Sequence, residues 1–301
     1  MNHATSHPGI ERGSAARGAA APAQRGFTLV EVAISLILLA LAAVGVFSVL
    51  TQQIEQHRIS DTNDTLAKAS DALLSFVTAN GYLPCPAIAA SNGVESVASV
   101  VGSVRTCTVE AGFLPAVTLG MSGLDANGLL DSAWRDNAGA ANGTHLRAIR
   151  YAVTGLSGTT AHALTSAALG APGSTTQRTA VQIALTAGAA PNQNQGLFVC
   201  ASVTGIQATG NRCNTAANTV MANVPVVIWS LGSNAANVGG YSPDERQNYL
   251  VSVPPYAAVP RVFINRPYAP QGAANTQFDD QVAWISYSLI ADRLVYAGFV
   301  Q

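Results

Sequence analysis

Arg25-Gly26-Phe27-Thr28-Leu29-Val30-Glu31 runs directly into Val32-Ala33-Ile34-Ser35-Leu36-Ile37-Leu38-Leu39-Ala40 and stays apolar to Leu50. Between Phe27 and Leu50 every residue is apolar or small except Thr28, Glu31, Ser35 and Ser48. At about 1.5 Å per residue this run makes a helix of roughly 36 Å, enough to cross the hydrocarbon core of a bilayer with some tilt. A cleaved secretory leader would put its small-residue site after the apolar stretch, whereas here the arginine and the glycine precede it. Arg12, Arg17 and Arg25 against Glu11 make the preceding segment positive and predict that it stays on the cytoplasmic side.

Glu31 is costly in lipid, so its place in the first turn of the span calls for a cationic partner. Gly26-Phe27-Thr28-Leu29-Val30-Glu31 resembles the processing site of type IV pilins and of the pseudopilins of type II secretion. The resemblance implies cleavage after Gly26 by a membrane-embedded prepilin peptidase, N-methylation of Phe27, and pairing of Glu31 with the N-terminal amine of a neighbouring subunit during assembly. It also implies a cytoplasmic leader over residues 1–26, the membrane half of a long helix over 27–50, its periplasmic half over 51–80 and a globular head over 81–301. Gly81-Tyr82-Leu83-Pro84-Cys85-Pro86, Gly112-Phe113-Leu114-Pro115, Asp131 with Trp134 ahead of Arg150-Tyr151-Ala152-Val153, and Phe278-Asp279-Asp280 extend the likeness. In such proteins the Asp/Trp turn runs almost directly into the Arg-Tyr strand, whereas here Arg135 to His145 intervene.

The expected class is therefore α+β and pilin-like: a long N-terminal helix packed on an antiparallel sheet. Beyond Leu50, Ile59, Leu66 and Leu73 recur every seven residues with Ala69, Phe76 and Val77 on the same side, so helix is expected to about Ala79. Asn80-Gly81 and then Pro84 supply its stop. Strands are expected at Leu146–Thr154, Thr179–Ala187, Gly196–Val203, Pro225–Leu231, Tyr249–Val253 and Arg261–Ile264, with Gly/Ala/Ser/Thr-rich loops over 155–177 and 188–195. Near the end, Gln281–Ser286 reads as a strand and Leu289–Tyr296 as a short helix, although short apolar runs do not fix that boundary.

Charged residues make up 10% of the chain, against about 25% in ordinary soluble proteins. Net charge is −1 and Lys68 is the single lysine, so no basic patch points to nucleic acid. Cys85, Cys107, Cys200 and Cys213 all follow the span, which places them in the periplasm, where disulfides persist. Three pairings are possible; short Gly/Asn/Thr-rich loops favour Cys85 with Cys107 and Cys200 with Cys213. Free buried thiols are the alternative, and zinc is disfavoured because no Cys-x-x-Cys spacing exists.

No nucleophile elbow, phosphate loop, dinucleotide fingerprint or His-Glu-x-x-His is present, so catalysis is not expected. Asp279 and Asp280 read as a solvated turn or helix cap. Asp125, Asn127 and Asp131 offer oxygen ligands for calcium in a glycine-containing loop, with an ordinary Asx-turn as the alternative. Trp134, Trp229 and Trp284 read as core anchors. The expected role is a prepilin-like structural subunit of a type II secretion pseudopilus or a type IV pilus, held in the bacterial inner membrane with its head in the periplasm. The rival is a signal-anchored periplasmic binding or adhesion protein whose head captures a ligand or a secreted substrate.

Overall fold

The computed structural model describes residues 28–101, 104–134, 145–154, 164–165, 196–207, 212–235, 241–252, 262–270 and 276–299, without the side chains of 42–52, 104 and 250–252. The expected leader, the strand at Thr179–Ala187, the loop over 188–195 and all of the loop over 155–177 except Leu164 and Thr165 lie outside these residues. The chain divides into two compact units, Met1–Gln53 and Ile54–Gln301.

Helix α1 spans Leu29–Asn80. It stops at Gly81, whose φ of 76° closes the last turn while its N–H donates to Val77 O at 2.8 Å. Within the second unit, Leu66, Ala69, Leu73, Leu74 and Val77 are buried, and Asp61, Asp64, Lys68 and Asp71 are exposed. The seven-residue stripe is thus the buried face, with Phe76 at its margin edge-on to Tyr82 at 5.7 Å.

Nine strands follow among the described residues: β1 (Val97–Val101), β2 (Val104–Cys107), β3 (Ala111–Phe113), β4 (Arg150–Val153), β5 (Leu197–Cys200), β6 (Thr219–Val224), β7 (Val226–Ser230), β8 (Val262–Ile264) and β9 (Gln281–Ile285). β1 and β2 form a hairpin; β3-β4-β7-β9 make an antiparallel sheet; β6-β5-β8 make a second sheet. β5 and β8 are parallel, which corrects the expectation of a wholly antiparallel head. Among the described residues two more α-helices follow, α2 (Pro243–Ser252) and α3 (Tyr287–Tyr296).

The four-stranded sheet is apolar on both faces, so β7 reads as an unbroken Val-Val-Ile-Trp run rather than an alternating one. Tyr151, Val153, Val226 and Ile228 join the α1 stripe, together with Ile290 and Leu294 of α3. Ala152, Val227 and Trp229 point the other way, onto Leu197, Val199 and Phe263 of the second sheet. A third apolar cluster, Phe198, Cys200, Val262, Ile264 and Phe278, covers the far side of that sheet. The head is therefore layered as helix, sheet, sheet and cover.

β1, β2, β3 and β6 answer to no expected strand, and two of the expected strands differ in the structure. Tyr249 lies in α2 rather than in a strand. Ser242-Pro243-Asp244-Glu245 explains this: Ser242 N–H donates to Glu245 Oε2 at 2.9 Å and Glu245 N–H donates to Ser242 Oγ at 3.3 Å, a reciprocal cap with proline at the first helical position. Leu146 and Arg147 form a turn, so the expected strand at Leu146–Thr154 begins only at Arg150.

Candidate functional site

Two places carry the residues singled out by the sequence. The first is the start of α1. Gly26 and Phe27 lie outside the described residues. Glu31 sits in the first turn; its N–H donates to Thr28 Oγ1 at 3.3 Å, and Ser35 Oγ donates to its carbonyl at 2.8 Å. The hydroxyl of Thr28 thus meets one of the backbone donors that a helix start leaves unpaired. Leu29, Val30, Ile34, Leu36, Ile37, Leu38, Leu39 and Leu41 are each more than half exposed. A helix apolar on every side is suited to lipid or to packing among other helices, not to water. Among the described residues no helix is long and apolar enough to cross a membrane.

The second place is in the head. Asp279 and Asp280 are 2% and 6% exposed, which overturns the solvated-turn reading. Asp279 Oδ2 accepts from Ser233 N–H at 3.0 Å, Asn234 N–H at 3.3 Å and Gln277 Nε2 at 3.4 Å, and from Ser233 Oγ. Its own N–H donates to Glu245 Oε1 at 3.2 Å, while Glu245 Oε2 also accepts from Asn234 Nδ2 at 3.2 Å. Asn248 Nδ2 donates to Asp280 Oδ2 at 2.8 Å and to Ile264 O at 2.9 Å, and Ile264 N–H donates to Asn248 Oδ1 at 2.8 Å. The carboxyls hence join α2, β8, the 230–235 turn and the entry to β9. Burial pushes all three above the usual carboxylate range; bonds from Ser233 and Asn234 oppose this at Asp279, and the charges of Asp279 and Glu245 add to it at Asp280. Sequence reading missed Glu245 and Asn248, although the Ser-Pro-Asp-Glu cap was there to be found.

The motif pieces after α1 make joints. Tyr151 Oη donates to Pro84 O at 3.0 Å, and burial holds its phenol protonated well above the ordinary range. Thr62, on the buried stripe, accepts from Ala133 N–H at 3.2 Å, and the Arg58 guanidinium lies 5.8 Å from the Trp134 ring. Arg150 covers Phe113 at 4.2 Å. Trp229 is fully buried and Trp284 half-buried.

The cysteines form Cys85–Cys107 and Cys200–Cys213. Asp125 Oδ1 accepts from Asn127 N–H at 2.9 Å and Leu129 N–H at 2.7 Å, an Asx-turn, while Asp131 forms a backbone bridge with Ala148. Among the described residues no group of three or more His, Cys, Asp or Glu side chains is placed to hold a metal ion.

None of the curated proteins and none of the solved structures matches the chain. Residues 22–47 match the family model described as the prokaryotic N-terminal methylation motif. The register places Gly26, Phe27 and Glu31 inside that match, and the chain carries the prepilin-type cleavage and methylation signature of type IV pilins and pseudopilins.

Proposed function

We propose that the protein is a structural subunit of a type II secretion pseudopilus or a type IV pilus rather than an enzyme. Prepilin peptidase removes residues 1–26 and methylates Phe27; residues 27–50 anchor the chain in the inner membrane, 51–80 continue the helix in the periplasm and 81–301 form the head. The observation that carries this reading is the methylation motif at 22–47, in register with a helix whose first turns expose apolar side chains on all sides. Glu31 then lies where a neighbour's N-terminal ammonium offsets its charge as the helices pack among other pilin subunits. Two charges that are each costly in lipid become tolerable as a pair, which sets the register of an incoming subunit.

The intact mass of the membrane-extracted protein, from cells with and without prepilin peptidase, tests this. A chain beginning at N-methyl-Phe27 is expected only in peptidase-positive cells. Glu31→Ala is expected to leave cleavage intact and to reduce recovery in sheared or cross-linked filaments at least tenfold. An unprocessed N-terminus in both strains would overturn the proposal and leave a signal-anchored head.

A further inference from the structure

Among the described residues, Glu245, Asp279 and Asp280 meet in the core of the head with no cation paired to them. Arg266 is the basic residue lining the adjoining cavity of about 200 Å³. Its Nε lies 2.9 Å from Asp244 Oδ2, and its Nη2 donates to the carbonyls of Thr276 and Gln277. Asp279 Oδ1 is buried with no donor, facing Gly232 so closely that a Cβ there would come within 2.0 Å. Gln281, which lines the same cavity beside Asp279 and Asp280, has both polar atoms of its side chain buried and unpartnered. An unpaired buried carboxylate oxygen is costly; a proton removes that cost without needing a counter-cation.

We propose that Glu245, Asp279 and Asp280 form a proton-dependent latch on α2, which holds that helix against β8 while the cluster keeps protons and releases it first when it loses them. Asn248 is the tie. It bonds Ile264 in both directions and Asp280 once; ionisation strengthens the bond that Asp280 accepts, but it sets the charge of Glu245, on α2, against those of Asp279 and Asp280, so like charges strain the contact that Asn248 fastens. The surrounding groups do not take over this role. Tyr241 and Tyr268 are held protonated by burial, and Tyr268 donates to Glu55. Asp244 is paired with Arg266, and Arg246 is exposed.

The sign follows from proton counting. In the unfolded chain these acids ionise near about 4, whereas the folded cluster keeps its protons to higher pH. The folded state therefore binds more protons above that point, and stability falls as pH rises until the folded cluster has titrated. Each retained proton lowers the folded-to-unfolded ratio about tenfold per pH unit.

The test is hydrogen exchange on the full chain in detergent micelles between pH 5 and 8, corrected for intrinsic rates. Protection of α2 is expected to fall at least tenfold relative to β7 as pH rises. Asp280→Asn, which keeps a neutral acceptor for Asn248, is expected to flatten that ratio; Asp292→Asn, an exposed acid on α3, is expected to leave it as it was. Side-chain carboxyl carbon-13 titration of the unsubstituted protein decides the matter if Asp280→Asn does not fold. One of the three still protonated at pH 6.5 supports the latch, whereas ionisation of all three near 4, or a pH-independent α2/β7 ratio, overturns it.

Discussion

Leu73→Ala is expected to destabilise the head by about 2–5 kcal/mol, the range for emptying a fully buried leucine site. Leu73 is 0% exposed on the α1 stripe, between Ala69 and Val77 and against the face that β4 and β7 present. The neighbourhood is closed by secondary structure on two sides, so little relaxation into the cavity is available. Asp71→Ala, two residues away on the exposed side, is expected to change stability by no more than about 0.5 kcal/mol. Urea unfolding of the detergent-solubilised chain, followed by tryptophan fluorescence, reads both. Trp229 lies on the second layer and Trp134 beside α1, so the probes bracket the site. If the second half of α1 were a free stalk, the two substitutions would behave alike, and equal midpoints would sink the layered architecture.

That stripe was legible because its signal is local and periodic. Leu66, Leu73, Ala69 and Val77 stand on one face whatever the rest of the chain does, and the Asn80-Gly81 stop is a backbone requirement that glycine meets cheaply. The methylation motif was legible for the same reason, since its residues lie within one short segment. What escaped was set by distant partners. β6 ends at Val224 and β7 begins at Val226, so the chain crosses between sheets at Pro225, just after Asn223 takes a φ of 52°. A strand that changes sheets at a proline shows no continuous period-2 pattern. The parallel pairing of β5 and β8 joins segments more than sixty residues apart in sequence, which nothing in either tripeptide announces. The buried acids escaped for an instructive reason. Asp279 and Asp280 carry the residue type of a turn, and only the approach of Ser233, Asn234 and Asn248 makes burial tolerable. The cap Ser242-Pro243-Asp244-Glu245 was readable in sequence order, and it alone could have located α2 and its share of the cluster.

Removing the Cys85–Cys107 bridge, by Cys85→Ser with Cys107→Ser, is expected to cost about 3 kcal/mol in the chain-entropy account. The sequence separation of 22 residues encloses more than slack chain. Glu95, inside the loop, accepts from Cys85 N–H at 3.0 Å and from Arg105 Nη2 at 2.6 Å. The Arg105 guanidinium in turn covers the Tyr82 ring at 4.5 Å, next to the end of α1. Bridge and ion pair thus hold the same hairpin to the same end of the helix. Their side chains are 10% and 16% exposed, so the pair is screened less than a surface one and leaves a costly orphan if one partner is lost. For a domain of this size the loss corresponds to a fall in Tm of about 6–12 °C, which thermal unfolding of the doubly substituted chain beside the parent, both without reductant so that Cys200–Cys213 stays closed, can read. Glu95→Gln in the oxidised and the bridge-free chain completes a double-mutant cycle. A coupling above about 0.5 kcal/mol is expected, because ordering the loop by one device lowers the entropic cost of the other. Additive effects would mean that the disulfide and the Glu95–Arg105 pair stabilise separate pieces of structure.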